Sequence, residues 1–157
     1  MKIKSIIIRY GVYGLLTGII LFLLVLGLGS GLSFGAQEMV GYSVILISLA
    51  FIYPGVKKFR DEKQGGHIGY RKATLVGLLI ATFSGIGIAI ADFIYLTLIN
   101  PDFFTEYSSN LRTQGYKGEI PDYGSGFMAA IMFLTVMAAG IIVAVGTAIL
   151  LRKKRPR

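Results

Sequence analysis

Four long apolar runs separated by short polar stretches set the pattern of this chain. They cover about 6–29, 39–56, 73–99 and 127–151, and a helix needs roughly 20 residues to cross a bilayer. Inside a bilayer every backbone N–H and C=O must be satisfied within the segment, so such runs are read as helices. The strongest polar interruption is Lys57 to Lys72, KKFRDEKQGGHIGYRK, between the second and third runs. The pattern predicts an all-α polytopic membrane protein: a four-transmembrane-helix bundle in a single membrane domain over residues 1–157.

Small residues recur inside the runs at helical spacing. The first carries Gly14 and Gly18 as GxxxG, with Gly11 one turn earlier. Small residues four apart let two helix backbones approach closely, either between two copies or within one chain. The third run places Ala73, Gly77, Ala81, Gly85 and Ala89 at every fourth position. Gly140, Ala144 and Ala148 repeat that spacing in the fourth, so the two ridges are predicted to face each other. Met128, Met132 and Met137 read as gap-fillers in this packing. The second run closes at Tyr53-Pro54-Gly55 just before Lys57 and Lys58. A proline removes a backbone donor, so the helix is expected to end there. Beyond it, Lys58 and Glu62 are spaced to pair if a helix reaches them, and Gly65-Gly66 marks a break.

Asp92 is the one ionisable residue well inside a run. At about 100° per residue it falls within about 20° of Gly85, on the ridge face, and about 12 Å along the helix from Asn100. A charge at the bilayer centre costs on the order of 3 kcal/mol. Protonation, a water-filled cavity, or a hydroxyl of Ser43, Thr82, Ser84, Thr97 or Thr135 would offset it. Asp92 is therefore a candidate intramembrane proton or cation site, or a buried acid that specifies helix packing.

The longest polar stretch follows the third run. Asn100-Pro101 reads as a helix cap and first turn. Phe103, Tyr107 and Leu111, widened by Phe104, form an apolar stripe. A short amphipathic outer helix over about 101–112 is predicted, lying on the membrane surface or closing over the bundle as a lid. Asp102, Glu106, Glu119 and Asp122 match no calcium-loop spacing, so they read as solvated loop charges and no metal site is predicted.

Charge settles the expected orientation. Of the 16 Lys and Arg residues, only Arg112 and Lys117 fall on one side of a four-span arrangement. The positive-inside rule then puts both termini and the central loop in the cytoplasm. The net charge of +8 is thus explained by topology, and no nucleic-acid partner is expected; the RKKRPR tail reads as an anchor. The start of the chain imitates a secretory signal, with Ser33-Phe34-Gly35 ahead of Ala36, but its apolar run exceeds the 7–15 residues or so of a signal core. A retained helix is expected.

The run KKFRDEKQGGHIGYRKATLVGLL resembles the signature of the domain-of-unknown-function 4199 family, small bacterial four-span membrane proteins. The resemblance rests on Lys57, Lys58, Arg60, Asp61, Glu62, Gly65, Gly66, Tyr70, Lys72, Ala73 and Gly77, and on Asn100-Pro101-Asp102-Phe103. It implies the four-span architecture and a bacterial inner membrane, and it carries no activity.

Three function classes remain to be ranked. With no cysteine and one histidine, His67, no nucleophile–base pair is assembled, and no phosphate-cradling or zinc-protease motif occurs. An enzyme is not expected, and neither is a cofactor. A homo-oligomeric proton- or cation-conducting transporter or channel using Asp92 is the alternative. The leading expectation is a non-catalytic accessory, assembly or regulatory component, with the lipid bilayer and itself or another membrane protein as partners.

Overall fold

The computed structural model describes residues 3–28, 33–120 and 123–152. The tail beyond Arg152, together with Lys2, Gly29, Gly31 and Asp122, lies outside the described residues. The chain forms α1 (Ile3–Leu28), α2 (Phe34–Leu49), α3 (Ile52–Lys63), α4 (Tyr70–Ile94, continued as a π-helix over Tyr95–Ile99), α5 (Phe103–Thr113) and α6 (Gly124–Leu151). Four stretches are long and apolar enough to cross a membrane: Lys4–Leu28, Gly35–Lys63, Tyr70–Ile99 and Gly124–Leu151. The protein is an all-α, multi-pass membrane bundle, with both ends of the described chain and the α3–α4 loop at one end and α5 at the other.

The second span corrects the expectation that it ends at Pro54. Helix stops earlier, at Leu49, turns through Ala50 and Phe51, and resumes as α3 up to Lys63. Proline acts on the residue four before it, where its ring meets a carbonyl and its missing N–H leaves that carbonyl unbonded. For Pro54 that residue is Ala50, and the interruption falls there. The Ala50 N–H closes back on Ile47 O at 3.2 Å, and Gly55 N–H opens the new helix on Phe51 O at 3.1 Å. Val44, Ile45, Ser48, Leu49, Ile52, Gly55, Val56 and Phe59 are all buried, so one apolar face runs through the joint without changing side.

α3 ends on two left-handed glycines, Gly65 (φ 59) and Gly66 (φ 79). Arg60 O accepts from both Gln64 N (3.1 Å) and Gly66 N (3.1 Å). Side chains with a Cβ disfavour this backbone region, which explains the glycine pair.

The ridges pack as predicted, and inside one chain. A Cβ on Gly77 would lie 2.8 Å from Ala144 Cβ, and one on Gly140 2.7 Å from Ala81 Cβ. These pairs run in opposite directions, so α4 and α6 are antiparallel. α1 lies parallel to α4: Gly11 faces Phe83, Gly14 faces Ser84 and Gly18 faces Ile88. Of the two uses open to the GxxxG pair, the structure realises packing onto the chain's own third span. Met132 and Met137 are half-buried against the core, as gap-fillers would be.

α5 begins at Phe103, two residues later than predicted, because the π-helix runs up to Asn100 and the chain must turn through Pro101 and Asp102. No residue of α5 is buried, which disfavours a lid and fits a helix lying at the surface. Its anchor is the Phe103 ring, edge-on to Tyr95 with centroids 6.2 Å apart.

Candidate functional site

Asp92 lies on the buried face of α4 between Ala91 and Tyr95, with 8% of its surface exposed. Among the described residues no hydrogen bond or ion pair reaches its carboxyl. Each hydroxyl that the sequence offered as a partner donates elsewhere. Thr82 bonds Leu78 O (3.0 Å), Ser43 bonds Met39 O (3.0 Å) and Thr135 bonds Ile131 O (3.0 Å). Ser84 donates to Ser48 O (3.1 Å), and Thr97 to Ser125 Oγ (3.1 Å). The parallel offset between α1 and α4, carried one turn further, brings buried Phe22 to the level of Asp92.

The π-helix begins three residues beyond Asp92, and the sequence reading did not anticipate it. The Tyr95 N–H is shared between Ala91 O and Asp92 O, and the Asn100 N–H closes on Tyr95 O at 2.8 Å. This wide i→i+5 closure is rare and gathers at functional sites. Its ring, 6% exposed, stands on the same face as Asp92 one turn nearer the α5 end. The Asn100 Nδ2 donates to Tyr95 Oη (3.5 Å) and to Glu106 Oε2 (3.1 Å). A line of polar groups thus leads from Glu106 on α5 to the turn above Asp92. Only the i, i+3 spacing of Asp92 and Tyr95 hinted at it.

Most of the other singled-out residues sit at contacts between helices. Gly14 and Gly18 are spent on α4; Gly77, Ala81, Gly140 and Ala144 on the α4–α6 seam; and Gly85 meets the Phe133 ring, 3.0 Å from where its Cβ would stand. Ala89 is only half-buried. It lines an open groove of about 460 Å³ with Ile86, Ile90, Ala129, Ala130, Phe133 and Leu134, apolar throughout. Gly87 was not on the predicted ridge, yet its Cβ would lie 2.5 Å from Leu15 O and 2.9 Å from Leu15 Cα. It lies off the i, i+4 ridge because α4 packs small residues on two faces.

The signature loop is a helix terminus with its ion pairs. Lys58 pairs with Glu62 at 3.4 Å and Arg60 Nε with Asp61 at 2.7 Å. Lys72 reaches back to Gln64 Oε1 at 3.3 Å, and Gly65-Gly66 makes the turn. Among the described residues no three acids or histidines gather as metal ligands would.

Fold and site together define a class: a small multi-pass helical membrane protein with one buried, unpartnered acid. Within that class, the family model described as "Protein of unknown function (DUF4199)" matches residues 9–153. The chain belongs to this family. No curated protein and no solved structure matched it.

Proposed function

We propose that this protein is a non-catalytic accessory, assembly or regulatory component of the bacterial inner membrane, with both termini cytoplasmic. The orientation rests on the basic residues that crowd the termini and the α3–α4 loop. The accessory role rests on one observation: most of the small-residue surface closes the bundle on itself, and a patch that shapes a groove is left over. That patch is the groove between the α5-end halves of α4 and α6, floored by Ala89, Ala129 and Ala130. Small residues on a lipid-facing groove suit the close approach of another transmembrane helix. Native mass spectrometry of gently extracted protein tests this. A stoichiometric second protein, lost when Ala130→Phe fills the groove, is the expected result; release of the bare monomer by wild type and variant alike would refute it.

A second reading is favoured by Asp92 itself, an acid in the membrane with no partner to offset its burial. Intramembrane acids mark proton or ion sites by default. On this reading the protein is a homo-oligomeric proton- or cation-conducting transporter or channel. A defined homo-oligomer in the same spectrum, with a flux abolished by Asp92→Asn, would support it over the accessory role.

A further inference from the structure

The surroundings of Asp92 are lopsided along the bundle axis. Toward the termini end, the next turns of α4 are sealed. Ile80, Ser84 and Ile88 are fully buried, and the Gly87 main chain lies directly on that of Leu15. The two hydroxyls nearest Asp92 on that side, Ser48 and Ser84, are committed to the carbonyls of Ile45 and Ser48. Among the described residues the one buried without a partner, Thr74 Oγ1, lies about five turns away. Toward the α5 end the packing opens. α6 has no buried residue before Val136, and hydrogen bonds join Tyr95 through Asn100 to Glu106 on the exposed α5.

The electrostatic surroundings are equally simple. α6 contains no ionisable residue, and α1 contains none after Tyr13. On α2 the ionisable groups at this end are Glu38 and Tyr42, which bond each other at 3.1 Å. On the chain's own path beyond Asp92 come Tyr95 and then, at the α5 end, Asp102, Glu106 and Tyr107. Among the described residues no ion pair holds Asp92 as a carboxylate, and no group of three acids or histidines gathers with it to bind a metal ion. The species this environment suits is a proton.

We propose that Asp92 is a proton-binding site with access from one side only, the α5 end, through the Tyr95 hydroxyl. Asn100 donates to Tyr95 Oη and to Glu106, which fixes the hydroxyl and leaves its own proton to give. In uptake, Glu106 at the surface collects a proton from solvent. Tyr95 Oη passes its proton inward, through water where the gap requires it, to the Asp92 carboxylate, and takes the proton held by Glu106 back through water, with Asn100 holding the two groups in place and carrying no proton itself. Release runs the same steps in reverse, so nothing is oxidised or consumed. The inference rests on the second reading above and adds the species, the side and the route.

The test is an infrared pH-jump measurement on the full chain in lipid nanodiscs, following the carboxylic-acid band that disappears in Asp92→Asn. The wild type should gain this band on acidification. Tyr95→Phe, which keeps the ring and its contact with Phe103, should slow that rise by roughly a hundredfold, the order expected for removing one positioned proton-transfer group. Asn100→Ala should slow it too. Ser84→Ala, on the sealed side, should leave the rate unchanged, and circular dichroism should show each variant folded. A band that rises equally fast in Tyr95→Phe, or that slows in Ser84→Ala, would overturn the route while leaving Asp92 a titrating site. No Asp92 band at any pH would overturn the route and the second reading together.

Discussion

The two ends of this bundle are built differently. At the termini end the helices meet at glycine-sized distances: Gly55 against Ile80 and Tyr10, Gly77 against Ala144, and Gly140 against Ala81. Ile6, Val56, Phe59, Ile68, Ala73, Ala148 and Leu151 are buried there. At the α5 end the first ten residues of α2 and the first twelve of α6 include no buried residue among those described. The burial there falls to Phe22 on α1 and to Ala91, Asp92, Tyr95 and Leu96 on α4 and its π-helix. Without a hydrophobic drive between helices in lipid, close packing is what holds spans together. The termini end supplies the cohesion, and the α5 end holds the buried acid and the polar groups beyond it.

This contrast can be broken at its densest point. Gly87→Leu would drive a side chain into the Leu15 main chain, which cannot retreat without parting α1 from α4. A loss of about 3 kcal/mol is expected, the upper part of the overpacking range, read by denaturant titration in mixed micelles. Gly146, whose Cβ meets nothing within 4 Å, should accept alanine with little change and serves as the control.

At the opening, substitution should act with the opposite sign. Asp92→Asn removes a buried ionisable group that no partner offsets, so it should stabilise the bundle by roughly 2 kcal/mol, less than the full cost of the charge because Asn is itself polar. The gain should shrink in acid, where the wild-type carboxyl is protonated as well. A loss of stability at every pH would show the acid to be a packing element.

Smaller effects sharpen the picture of the loop. Gly65→Ala places a Cβ in the left-handed region and should cost about 1 kcal/mol, seen as a lower thermal midpoint. Lys58→Ala should cost only about 0.3 kcal/mol, as an exposed i,i+4 pair does, and that loss should vanish in high salt.

Much of the fold could be read from the chain because lipid imposes simple rules. The apolar runs, the Gly77–Ala144 seam and the Lys58–Glu62 pair all follow from hydropathy and helical spacing. Pro54 was recognised as a breaker, but its effect was placed at the proline and not four residues back at Ala50, where the backbone conflict lies. Asp92 was placed correctly on the buried face by counting residues. The rest of the site depends on the π-helix, and nothing in the composition of YLTLI distinguishes it from ordinary α-helix. Asn100 and Glu106 reach Tyr95 only once that wider turn and the reversal at Pro101 have set their positions.

The parallel seating of α1 on α4 has a consequence for biogenesis. Spans made one after the other pair naturally as antiparallel neighbours, whereas the seat for Gly18 is Ile88, some 70 residues later in the chain. While the first two spans are already in the membrane, the Gly11, Gly14 and Gly18 face has yet to meet the surface it fits. At that stage only part of the face is seated, where Gly14 meets the Ser48 carbonyl of α2. The interval before the third span arrives is when two neighbouring chains, or an insertion factor, would find the rest of that face free.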